Sequence, residues 1–100
     1  MDKALQLLSL AMRAGRVASG EFKTEESVKA GQAMLVIIAD DASNNTKKKF
    51  KDMCEFYKVP ILFYSNKEEI GHYIGKEFRA SVAVLDAGLA NKILTESGNK

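Results

Sequence analysis

The chain has 100 residues, 46% of them apolar and 28% charged, with a formal charge of +2, which fits one globular domain spanning residues 1–100. So small a net charge excludes a grossly basic arm, though not a local basic patch. The lone cysteine, Cys54, cannot close an internal disulfide. No apolar run approaches the ~20 residues that cross a bilayer, and the start has no signal-peptide layout, so a cytoplasmic protein is expected.

Residues 2–14 read as a helix. Leu5, Leu8, Ala11 and Met12 recur at helical spacing, Leu7 and Leu10 widen the apolar face, Asp2 offers an N-cap and Gly15 a stop. Residues 16–19 are expected to form a short strand. A second helix is predicted from Phe22 or Lys23 to Ala30, with Ser19 or Gly20 near its cap and Gly31 closing it. Residues 34–39 (MLVIIA) show no alternation, which predicts a strand covered on both faces. A turn-rich loop, DDASNN, precedes an amphipathic helix over 46–57, whose apolar stripe is Phe50, Met53, Cys54 and Tyr57. Pro60 opens a strand over 61–64. Ser65 and Glu68 have capping-box spacing, starting a helix through Ile70, Tyr73 and Ile74 that stops at Gly75. Residues 81–85 form the last strand. Asp86 starts a final helix through Leu89, Ala90, Ile93 and Leu94, and residues 97–100 are expected to fray. Strands alternating with helices predict one sheet with helices on both faces.

Several stretches could carry chemistry. A helix opened by Gly20 presents backbone N–H groups that lack intrahelical partners, and these favour an anion such as phosphate. An ordinary surface corner is the simpler alternative. Asp40 and Asp41 follow a buried strand, where two carboxylates could hold magnesium for phosphoryl transfer. They could equally terminate the strand and cap the next turn. The basic run at Lys47, Lys48 and Lys49, with Lys51, is either a solvated helix face or a small phosphate-neutralising patch. In Lys76-Glu77-Phe78-Arg79-Ala80, an aromatic lies between two cations. Phe78 either stacks on an unpaired base or tucks into the core. Cys54 reads as core packing and His72 as a partly exposed helix residue. No metal-ligand spacing or nucleophile elbow is present.

The stretch from Gly20 to Gly31, then MLVIIADDAS, VPILFYSNKEEIGHYIGK and ASVAVLD resemble the kink-turn RNA-binding family of ribosomal proteins seven-Ae and thirty-e. The likeness runs over about residues 5–85, and the order and spacing of the pieces carry it. The opening LLSLAMRAGRVASG is most similar to the small bacterial YlxQ-like branch. The resemblance implies a three-layer α-β-α sandwich around a four-stranded mixed sheet, with no catalytic activity; no cofactor or metal is expected. It also implies RNA binding through the start of the second helix and the loop before the last strand, here residues 20–26 and 76–80. The residues expected to bind are Gly20, Glu21, Phe22, Lys23, Glu26, Lys76, Glu77, Phe78, Arg79 and Ala80, with Phe22 and Phe78 stacking on bases and Lys23, Lys76 and Arg79 on phosphates.

The family carries Asn and Glu two and three residues after that glycine and Lys six after it; this chain has Phe22, Lys23 and Glu26. The implied partner is a structured RNA, ribosomal or otherwise kink-turn-like, and through it the ribosome; neither DNA nor a membrane is expected. Two other readings remain open. One is a protein-interaction module on the same fold. The other is a magnesium-dependent, receiver-like domain using Asp40 and Asp41.

Overall fold

The computed structural model describes residues 2–98. Its elements are α1 (Lys3–Arg13), β1 (Val17–Ser19), α2 (Glu21–Lys29), β2 (Leu35–Ile38), α3 (Asn44–Tyr57), β3 (Ile61–Phe63), α4 (Lys67–Tyr73), β4 (Ser81–Val84) and α5 (Ala87–Glu96). The strands form one sheet in the order β1-β4-β2-β3. β4 runs antiparallel to both neighbours, while β2 and β3 are parallel and joined through α3.

The unbroken apolar run predicted over 34–39 becomes β2, and the topology explains its lack of alternation. Leu35 and Ile37 point to one face, where they pack with Val82, Val84 and Leu62 against α1, α4 and α5 through Leu5, Leu8, Ile70 and Ile93. Val36 and Ile38 point to the other face, packing with Ala83 against Val28 of α2 and Phe50 and Cys54 of α3. Successive residues of a strand face opposite ways, so a strand covered by helices on both sides must be apolar throughout. The result is the expected three-layer sandwich around a mixed sheet.

Element ends follow their caps. The Asp2 carboxylate accepts from the Leu5 N–H and also from the Tyr64 hydroxyl at 2.7 Å, tying the start of α1 to the end of β3. That carboxylate pushes the Tyr64 phenol up to about 12, because ionising it would set two negative charges together. Ser43 caps α3 and Asp86 caps α5, as its place in the sequence suggests. The capping box predicted at Ser65 and Glu68 is displaced by one residue. Asn66 is the N-cap and accepts from the Glu69 N–H, while Ser65 Oγ donates to the Glu69 carboxylate. Fraying was expected over 97–100. Instead Ser97 closes α5, its N–H donating to the Ile93 carbonyl; Asn99 and Lys100 lie outside the described residues.

Candidate nucleic-acid interface

The carboxyl ends of β1, β2 and β3 and the amino end of β4 meet at one end of the sheet, since β4 alone runs against the others. At this end the chain leaves β1 through Gly20 and turns directly into α2. Gly20 is the N-cap, at φ 94° and ψ 162°, and among the described residues no side chain caps the helix. Its φ is what requires glycine: a Cβ there would meet nothing within 4 Å, but an L-residue rarely adopts that backbone conformation. The first intrahelical bond runs from the Thr24 N–H to the Gly20 carbonyl. The N–H groups of the first turn, beside Phe22 and Lys23, therefore have no helical partner. Thr24 and Ser27 turn inward and are buried, holding the helix against the sheet.

The second stretch, residues 76–80, is seated by a glycine on α4. Gly71 is buried in that helix, and the backbone of Glu77 crosses directly over it. A Cβ at Gly71 would overlap the Glu77 carbonyl oxygen and stand 2.6 Å from its carbon. The Lys76 N–H donates to the Gly71 carbonyl at 2.8 Å, and the Arg79 N–H to the Lys67 carbonyl at 3.1 Å, so the loop is pinned at both ends. Arg79 Nη1 donates to the Phe78 carbonyl, which directs its guanidinium along the loop. The loop then enters β4, where the Ser81 carbonyl accepts from the Gly20 N–H at 2.9 Å. That one bond joins the loop end to the helix corner.

The structure thus brings both predicted stretches to one end of the molecule, but it does not give their residues equal standing. Phe22 is 75% exposed and Phe78 61% exposed, so the core-packing alternative for Phe78 is overturned. Phe78 lies with Lys76, His72 and Tyr73 along a groove on α4, which Glu68, Glu69 and Glu77 also line. Lys23 and Glu26 are exposed on the β1 flank of α2. Glu21 turns the other way and pairs with Lys49 of α3 at 2.9 Å. Ala80 is used internally: it packs against the α2–α3 core, and its carbonyl accepts from the Ala39 N–H.

A charge network absent from the sequence reading ties α2 to α3. Glu25 pairs with Lys29 at 2.7 Å and with Lys49 at 2.8 Å. The hydrogen bond from Lys29, then that from Lys49, lowers the Glu25 carboxyl to about 2, and Glu25 in turn raises Lys49. The Glu25–Lys29 spacing of four was a legible signal; the contact with Lys49 was not, because it crosses between helices. Asp41 acts as a cap, but across space: its carboxylate accepts from the Lys67 N–H at the start of α4, while the Asp40 N–H donates to the Ser65 carbonyl. His72 is exposed and sits edge-on to Tyr73.

These features define a class: an α/β sandwich that sets a glycine-opened helix beside a glycine-seated loop. The model of the ribosomal protein L7Ae/L30e/S12e/Gadd45 family matches residues 2–94, and the chain belongs to that family. It is 45% identical over 89 residues to the RNA-binding protein YlxQ of Bacillus subtilis (strain 168), a match covering 89% of each chain. It is 32% identical to the large ribosomal subunit protein eL8 of Thermoplasma volcanium, over 87% of this chain and 73% of that one. A protein of unknown function from Bacillus halodurans C superposes with a TM-score of 0.95 at 37% identity, covering 99% of this chain and all of that one. The 15.5kD RNA binding protein of Giardia lamblia shares the fold, with a TM-score of 0.80 at 22% identity over 94% of this chain and 83% of its own.

Proposed function

We propose that residues 1–100 act as a single non-catalytic, cytoplasmic RNA-binding domain whose partner is a structured RNA, ribosomal or otherwise kink-turn-like. The observation that carries the reading is the pair of aromatics Phe22 and Phe78. Both stand largely in water, on two elements joined by the Gly20–Ser81 hydrogen bond; Phe78 shares its groove with Lys76, and Lys23 follows Phe22 in the chain. Exposed aromatics gain little in water, whereas a base stacked on each ring buries the two faces that meet. Among the described residues, Lys23 and Lys76 make no ion pair, which leaves their charge for phosphates. The relatives named as RNA-binding proteins support the same reading.

In this proposal Phe22 and Phe78 stack on bases, Lys23, Lys76 and Arg79 meet phosphates, and the uncapped first turn after Gly20 adds backbone donors. Phe22 and Glu26 stand where the family carries Asn and Lys, so recognition shifts from base edges towards stacking and phosphate contact. Glu21, Glu77 and Ala80 complete the RNA-binding surface at its edges. The test compares wild type with Phe22→Asn/Lys23→Glu/Glu26→Lys on a simple kink-turn RNA over a range of salt. All three side chains are exposed and, among the described residues, make no ion pair, so the triple variant keeps the fold. Salt-dependent binding that tightens in the variant is the expected result. Wild type already binding at nanomolar affinity, with nothing gained in the variant, would refute the proposed shift.

A further inference from the structure

The basic run of α3 lies outside the surface formed by Phe22 and Phe78. Asn44, Lys47, Lys48 and Lys51 fall at i, i+3, i+4 and i+7, so they form one stripe along the helix. That stripe is one wall of an open groove of about 570 Å³. The other wall is Phe63, the last residue of edge strand β3. Leu62 packs into the α1 side of the sheet and Ile61 into the α3 side, so Phe63 points back towards α3, and it remains 38% exposed. The four lysines of this helix are not equivalent. Lys49 is held by Glu21 and Glu25, and Lys48 by Asp52. Among the described residues Lys47 and Lys51 have no ion pair, and both line the groove.

From this juxtaposition we infer that the α3–β3 groove is a second RNA-binding surface, which takes a single-stranded segment continuing from the RNA held at Phe22 and Phe78. The inference rests on the proposed RNA-binding reading of the first site. Charge complementarity selects the occupant: Asp52, which also lines the groove, is paired with Lys48, so two unpaired lysines on one wall face an aromatic side chain on the other, an arrangement that can hold backbone phosphates beside a stacked base. Lysines can also guard an exposed strand edge against pairing, but that needs charge alone and no aromatic face opposite the charges. The position fits as well. The Ala39 N–H bonds to the Ala80 carbonyl and the Asp40 N–H to the Ser65 carbonyl, so the loop of the first site and the end of β3 flank the same end of β2. From β4 to β3 is two strand steps, about 10 Å.

The test uses a kink-turn hairpin alone and the same hairpin carrying a single-stranded extension of about eight nucleotides at either end. Wild type should bind one extended RNA more tightly than the bare hairpin. Lys47→Gln/Lys51→Gln should bind the bare hairpin as wild type does, but that extended RNA about tenfold more weakly, with a salt slope shallower by about 1.4. Phe63→Ala should weaken the extended RNA by about tenfold as well. Extensions that add no affinity in wild type, or a lysine variant with unchanged affinity and slope, overturn the inference. Arg79→Ala separates the two sites, because it should weaken both RNAs. If it weakens neither while the lysine variant weakens the extended RNA, the first site is wrong and the groove stands alone.

Discussion

Gly71→Ala sets two physical effects against each other, and the structure decides the sign. In an isolated helix, alanine is favoured over glycine by about 1 kcal/mol, so helix propensity alone expects a gain. In the fold, the new Cβ would overlap the Glu77 carbonyl oxygen, stand 2.6 Å from its carbon and 3.1 Å from the Phe78 nitrogen. All three are backbone atoms, which cannot rotate aside as a side-chain end could. The loop is also held by the Lys76–Gly71 and Arg79–Lys67 hydrogen bonds, so retreat strains or breaks them. Overpacking of this kind costs about 1–3 kcal/mol, and a clash with pinned backbone belongs in the upper part of that range. The net expectation is a loss of roughly 1–2 kcal/mol, read by urea denaturation with an unchanged m-value. Because the same shift displaces Phe78 and Arg79, RNA affinity should fall about tenfold under conditions where the variant is fully folded. A Gly71→Ala protein as stable as wild type, with undiminished RNA binding, would refute the claim that this glycine seats the loop.

Three further outcomes are expected. Phe78→Ala should cost on the order of 1–3 kcal/mol of RNA binding with no loss of fold, while Arg79→Ala should weaken all bound RNAs about equally and lower the salt slope by roughly one contact. Equal salt slopes for Arg79→Ala and wild type would remove that residue from the phosphate contacts. The Glu25 carboxyl is held at about 2 in the fold against an ordinary 4.5, so its ion pairs stabilise the protein above pH 4.5 and that contribution is lost as pH falls towards 2. The drop in thermal midpoint between pH 5 and pH 2.5 should therefore be smaller in Glu25→Gln than in wild type, and identical drops would count against the network. Burial pushes the Cys54 thiol up to about 11, so a thiol reagent at neutral pH should modify the native protein far more slowly than the denatured one; equal rates would contradict its place in the core.

Local chemistry made much of this protein legible from its residues. Asp2 and Asp86 begin helices because a carboxylate before an apolar-periodic run can accept the unpaired first-turn N–H groups, and both do so. The run over 34–39 announced a doubly covered strand because no half-exposed strand can be apolar on both faces. Order and spacing then pointed to the family, starting from the helix that Gly20 opens and Gly31 closes. Contacts between elements distant in the sequence were not legible. Helical spacing put Tyr57 in the apolar stripe of α3, yet it stands 41% exposed at the end of that helix. Asp41 reads locally as a cap for the next turn, but it caps α4, 26 residues onward. Lys49 reads as one member of a basic run, yet two carboxylates of α2 claim it and leave Lys47 and Lys51 beside Phe63. Whether Phe78 was core or surface was open in the sequence, because an aromatic between charges fits either. The backbone lying on Gly71 decided it, by pinning the loop on α4 with its aromatic outward. Periodicity and capping act within a few residues and are written in the sequence. The partner of a charge and the exposure of a loop depend on which elements pack together, and only the tertiary structure decides that.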